Sequence, residues 1–252
     1  MFSFLKTQLI SQKLKNLFKS GGASLILIEV ISIFTAVTLA FMLSKWNENK
    51  NNANLEIRLL KEVYRGLRAD SLDMSGNKEG HERGLDYLKQ IAPAFKKDTT
   101  ITLSSHDYNF IFRTFLSIQN TSGYESLKSV GLDKITNDTL LSQIVRLYEF
   151  DYQTVEKMEE QYNENHLVQL YLKPVNDILM PLATMEGNTI SFQNIHKINK
   201  KDMNLLRLYL NRIAASRYFN MQTYEDVITK LTKVKEAVKT ELIRKDVQIE
   251  SI

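Results

Sequence analysis

Residues Ala23–Ser44 read ASLILIEVISIFTAVTLAFMLS, 22 residues with a single charge, Glu29. At about 1.5 Å per residue, such a helix spans a hydrocarbon core of about 30 Å. Twelve of these residues are Leu, Ile, Val or Phe, and together they favour insertion by about 4–7 kcal/mol. Glu29 opposes insertion by about 2.5–3.5 kcal/mol at the bilayer centre. It lies toward the N-terminal end of the run, where that cost falls, so the stretch reads as a transmembrane helix. Two competing readings are a buried core helix and a cleaved signal peptide. Core runs usually stop short of about 18 residues. A signal peptide has an apolar region of about 7–15 residues followed by a small-residue site, whereas Phe41, Met42 and Leu43 follow Ala40 here. Trp46 stands where an interfacial aromatic belongs.

Working outward, the flank before the run carries Lys6, Lys13, Lys15 and Lys19 and no carboxylate. After it come Lys45, Lys50, Arg58 and Lys61, mixed with Glu48, Glu56 and Glu62. Basic residues are about equal on the two sides, and long domains translocate largely regardless of charge. The expected orientation is an N-terminus inside and a large domain outside. Residues 2–19 read as an ordinary basic flank in preference to a surface-lying amphipathic helix. Gly21-Gly22 supplies a joint before the span.

The remainder has the composition of a folded domain. Of 252 residues, 43% are hydrophobic and 25% charged, enough apolar content to bury a core. Nine Gly and three Pro favour long helices. A net charge of +4 from 33 basic and 29 acidic residues lacks the clustered basic footprint of a nucleic-acid partner. With no Cys, disulfides, thiolate metal sites and Cys nucleophiles are excluded.

Apolar residues recur at helical spacing beyond the anchor. Leu60, Val63, Leu67 and Met74, then Leu85, Leu88, Ile91 and Phe95, extend a helix to about Pro93. Gly66, Gly76, Gly80 and Gly84 weaken it, and a break is expected within residues 71–82. Thr100–Leu103 reads as a short strand. A helix from Ser105 through Leu116 follows, and its aromatics read as core rather than as a ligand box. Ser122 with Glu125 forms a capping-box signature, and Gly131 a helix stop. Thr136 or Asn137 caps a long helix with an apolar face of Leu141, Ile144, Tyr148, Val155, Met158 and Tyr162. Pro174 and Pro181 mark its end and a bend. Glu186-Gly187-Asn188 is a turn, and Thr189–Phe192 alternates like a strand that pairs with Thr100–Leu103. A last helix covers about Lys200–Lys245, with a stripe from Leu206, Leu210, Ile213, Met221, Tyr224, Ile228, Leu231, Val238 and Leu242.

Three features together resemble an uncharacterised family of bacterial single-pass membrane proteins, a domain of unknown function. One is the apolar anchor with its early Glu29, leaving through Trp46-Asn47-Glu48. Another is the charged helical run Leu55 to Leu67. The most specific is Thr121-Ser122-Gly123-Tyr124-Glu125-Ser126-Leu127-Lys128 through Gly131-Leu132, then Ile135-Thr136-Asn137-Asp138 and Leu147-Tyr148-Glu149. The likeness is sharp in residues 23–70 and 121–149. Ile28 departs from it, since such anchors often place Gly before the acidic residue. The resemblance implies an inner-membrane protein with a helical domain and implies no activity.

No catalytic signature emerges. His81, His106, His166 and His196 lack a second His three or four residues away, so no helical metal pair exists. His106-Asp107 and His81-Glu82 read as ordinary surface or core pairs. Gly21-Gly22 lacks the Lys-Ser/Thr of a phosphate loop, and no Gly-x-Ser-x-Gly elbow occurs. Glu159 and Glu160 are adjacent on a helix and point apart. Glu29 is the costly residue, and with Ser32 and Thr35 it forms a candidate intramembrane contact. The competing reading keeps Glu29 wet at the headgroups.

The sequence thus predicts a mainly α chain: a basic tail over 1–22, a transmembrane helix over 23–45, and a helical-bundle-like soluble domain over 46–252 with a small two-stranded element. The expected function is a membrane-anchored interaction or scaffold module without enzymatic activity or cofactor. Its partners would be the lipid bilayer and either another protein or a second copy, and nucleic acid is excluded. The alternative is an extracytoplasmic ligand-sensing domain, with the Tyr108–Phe115 aromatics lining a pocket. That alternative needs a membrane partner to carry the signal, because 22 residues before the span are too few for an output domain.

Overall fold

The run that opens the sequence argument lies in the first helix, α1 (Gly22–Ile91). The computed structural model describes Lys15 and residues 22–249. The basic flank over 2–19 and Gly21 therefore lie outside the described residues, Lys15 excepted. The chain divides into two compact units, residues 1–55 and 56–252.

In the first unit, α1 is long and apolar enough to cross a membrane. Its most apolar window has a mean hydropathy of 2.4, and none of that window is buried. Leu25, Ile31, Phe34, Val37 and Phe41 all stand exposed.

The second unit is mainly α. Here α1 buries Leu59, Leu60, Val63, Leu67, Met74, Leu88 and Ile91, the helical stripe its spacing predicts. The break expected within residues 71–82 is absent, since α1 is continuous to Ile91. A one-turn 3₁₀ segment, Ala92–Phe95, then leads into β1 (Ile101–Ser104).

The helix expected from Ser105 through Leu116 is shorter. The Ser104 hydroxyl caps α2 (Ser105–Phe110) by accepting from the Asp107 amide. Residues 113–121 then form no regular structure. Next, α3 (Ser122–Val130) starts after Thr121, and the Ser122 hydroxyl donates to Asn120 instead of capping. Gly131 stops α3 at φ 123°, in the region that favours glycine.

Asn137 caps α4 (Asp138–Arg146), accepting from the Leu140 amide at 3.1 Å. The helix passes through a π turn, Leu147–Asp151, into α5 (Tyr152–Gln161). The extra residue of that turn rotates the face. Leu140, Leu147 and Tyr152 join the core, whereas Leu141 is half-buried and Tyr162 exposed. A second π turn, Val168–Leu172, runs directly into α6 (Lys173–Leu179), so Pro174 lies within continuous helical backbone instead of ending a helix as the sequence suggests.

The small sheet has three strands, not two. The unforeseen strand is β2 (Ala183–Glu186), which turns through Gly187 into β3 (Thr189–Phe192). The order is β1-β3-β2, all antiparallel, with Ile101 opposite Phe192 and Met185 opposite Ile190. Central β3 buries Ile190 and Phe192. With Ile101 and Leu103 they pack on Leu88, Ile91, Tyr108, Phe112, Val175 and Leu179. The last helix, α7 (Lys200–Arg244), is capped by Asn199 and closes this core with Leu206, Leu210 and Ile213.

Candidate functional site

Residues 113–121 pass along the second unit as an irregular ledge, and helix side chains fix its backbone. Asp70 of α1 accepts from the Asn120 amide at 2.6 Å, and Asp73 accepts from the Ile118 amide at 3.0 Å. Glu159 of α5 accepts from the Ser117 amide at 2.9 Å and the Ser117 hydroxyl at 2.7 Å. At the near end, Arg217 of α7 donates through Nη2 to the carbonyls of Phe110, Ile111 and Arg113, at 2.9, 2.7 and 3.1 Å. That is why α2 stops at Phe110. A guanidinium from over 100 residues away claims the carbonyls that a continuing helix would use.

Two glycines let these groups approach α1. A β-carbon at Gly80 would lie 2.4 Å from the Phe115 ring, and one at Gly84 would lie 2.4 Å from the Arg217 guanidinium carbon. The glycines that read as helix breakers thus form a slot.

The acids and bases in this layer are perturbed by burial. Asp70 is pushed up to about 6, opposed by its bonds from Asn120 and from the Tyr152 hydroxyl at 2.8 Å. Glu159 is also raised by burial, although Tyr224 and Ser117 donate to it. Burial pulls His81 down to about 3, with the Arg217 charge beside it adding to the shift. Burial lowers Arg217 to about 10. His81 is therefore neutral at neutral pH, with Nδ1 facing Arg217 Nη1 at 3.5 Å and its ring 5.0 Å from that of Phe115. Deeper in, Asn165, Ser216 and Asn220 bond one another, and Asn165 also donates to the Met158 carbonyl. The carboxylates of this layer accept from donors along the ledge, an arrangement suited to holding a backbone in place.

The ledge turns apolar side chains outward. Leu116 is 57% exposed and Ile118 83%. Beside Leu116 lies a groove of about 310 Å³ lined by Thr114, Leu116, His166, Val168 and Gln169 together with the carboxylates Glu159 and Glu160. The aromatics of α2 and the turn after it are core, as the sequence reading favours, and do not form the pocket of the ligand-sensing alternative. Tyr108, Phe110 and Phe112 are buried, and the Tyr108 hydroxyl donates to Asn176 at 2.7 Å.

Glu29, Ser32 and Thr35 lie on the exposed surface of α1 in the first unit. The Ser32 and Thr35 hydroxyls donate to the carbonyls of Ile28 and Ile31, at 2.7 and 2.8 Å. Their protons are used within the helix, and their lone pairs are left to accept. His106 is exposed beside Asp107, and Glu160 is exposed while Glu159 is buried. Among the described residues, no group of three or more His, Asp or Glu is placed to hold a metal.

Sequence reasoning missed the ledge and its clamps. A signal was present: between Ile213 and Met221 the apolar stripe of α7 lapses, and Ser216, Arg217 and Asn220 take its place at helical spacing. All three are buried. Compared with protein-family models, with curated proteins and with solved structures, the chain matches none.

Proposed function

We propose that this chain is a membrane-anchored interaction module whose ledge docks a partner protein. In this reading the span over 23–45 crosses the inner membrane of a bacterial cell, with the N-terminus in the cytoplasm and the helical unit in the periplasm. The bare apolar surface of α1 supports the anchor, because lipid is the environment that covers such a surface.

One observation carries the docking. Ordering an irregular segment costs about 1–2 kcal/mol per residue, and here three carboxylates and a buried guanidinium hold it while Leu116 and Ile118 stay in water. A pre-ordered backbone displaying apolar side chains beside a groove suits the anchoring side chain of a partner. The network binds backbone amides and does no chemistry in this reading.

The test is a photo-crosslinking residue placed at Ile118 in intact cells, with a control at Phe150, which is also exposed. A discrete protein adduct from position 118, lost with Leu116→Asp, is expected. No adduct, or an equal one from position 150, defeats the docking surface. Alkaline extraction should leave the chain in the membrane pellet and release a chain lacking 23–45.

A further inference from the structure

A second cleft in the second unit shares no lining residue with the ledge or its groove. It measures about 550 Å³, within the range of small-molecule sites. It forms where the 3₁₀ turn after α1 meets the first turns of α7. Pro93, Phe95 and Leu210 give it an apolar floor, and no carboxylate lines it. Lys89, Lys96 and Arg207 stand around it, and Asn211 adds an amide donor.

The cations are not equivalent. Lys89 is paired with Asp86 at 2.7 Å. Among the described residues, neither Lys96 nor Arg207 enters an ion pair. The Arg207 guanidinium carbon sits 5.9 Å from the centre of the Phe95 ring. Seated on an aromatic face, a guanidinium keeps its N–H edge free for the two oxygens of one carboxylate. The floor disfavours a strongly hydrated inorganic anion, and two unpaired cations disfavour a neutral apolar molecule.

We propose that this cleft binds a small organic acid: its carboxylate meets Arg207 and Lys96, and its apolar body covers Phe95, Pro93 and Leu210. The site is independent of partner docking at the ledge.

The test titrates phenylacetate into the full-length chain in phosphatidylcholine nanodiscs and follows it by ligand-observed NMR. Saturable binding is expected, weakened about tenfold or more by Arg207→Ala and by Lys96→Ala, the scale of one lost charge-assisted hydrogen bond. Lys201→Ala, an exposed cation on the same helix outside the cleft, should leave binding unchanged. Phenylacetamide and inorganic phosphate should each bind about tenfold more weakly than phenylacetate. A thermal melt confirms that each variant is folded. The proposal is overturned by absence of saturation at about 10 mM, the weak limit for a ligand of this size. It is equally overturned if phenylacetamide or phosphate matches phenylacetate, or if Lys201→Ala weakens binding as much as Arg207→Ala.

Discussion

The guanidinium of Arg217 occupies the space that a side chain at Gly84 would need: a β-carbon there would lie 2.4 Å from Cζ and 2.5 Å from Nε. The same helix carries Gly76, around which nothing lies within 4 Å. The two glycines therefore make opposite forecasts. Gly84→Ala should destabilise the fold by about 1–3 kcal/mol, the usual cost of overpacking. Gly76→Ala should stabilise it by about 0.5–1 kcal/mol, because alanine loses less backbone freedom in a helix. Denaturant midpoints of the two variants decide the matter. Equal shifts would mean that Arg217 does not rest on Gly84.

Acid should act on the buried layer in two opposing ways. Asp70 rises from 3.8 to about 6 in the fold, so it holds a proton that the unfolded chain has released. Its contribution is complete below about 3.8 and is lost as pH rises through about 6. His81 falls from 6.5 to about 3, so its contribution is complete above about 6.5 and is lost as pH falls toward about 3. Between about pH 6 and about pH 4 the two slopes oppose each other. Asp70→Asn should make the melting temperature drop more steeply on acidification than in the parent, and His81→Phe should make it drop less or rise. Melts across that window read both signs, and parallel curves for both variants would refute the assignment.

Glu56 ties three parts of the second unit together. It is 2% exposed and accepts from the Thr136 amide and hydroxyl at 2.8 and 2.9 Å and from Lys245 at 2.7 Å. Glu56→Ala would strand the Thr136 amide and leave Lys245 with Glu241 alone, at 3.4 Å, at a cost of about 1–3 kcal/mol. Glu56→Gln keeps an acceptor for Thr136 and should cost less. Chemical denaturation ranks the two, and the reverse order would show that charge, not hydrogen bonding, governs this corner.

Much of the architecture could be read from residue patterns. The apolar run, the reach of α7, the Asn137 cap, the Gly131 stop and the pairing of β1 with β3 all follow from local signals. The failures share a cause. Gly80 and Gly84 read as weak helix formers because the groups that need their space, Phe115 and Arg217, are distant in sequence. The end of α2 at Phe110 is set by Arg217 from another helix, so no stop signal marks it locally. The face of α4 and α5 drifts because a π turn adds a residue without altering composition. Of the candidate sites, Glu29 was legible as an expensive carboxyl. The clamps of the ledge were not, because Asp70, Asp73 and Glu159 look like solvated charges until the fold brings the amides to them.

One consequence of the clamps concerns solubility. Residues 110–118 read FIFRTFLSI, an apolar, β-prone stretch with one charge, the composition that seeds cross-β assembly when left exposed. Such assembly requires free amides and carbonyls to template a neighbouring strand. Here the amides of Ser117, Ile118 and Asn120 are held by carboxylates, and the carbonyls of Phe110, Ile111 and Arg113 by Arg217. The side chains that order the ledge also insulate it, so the exposed Leu116 and Ile118 at the end of a sticky sequence face water without a template along which fibrils could grow.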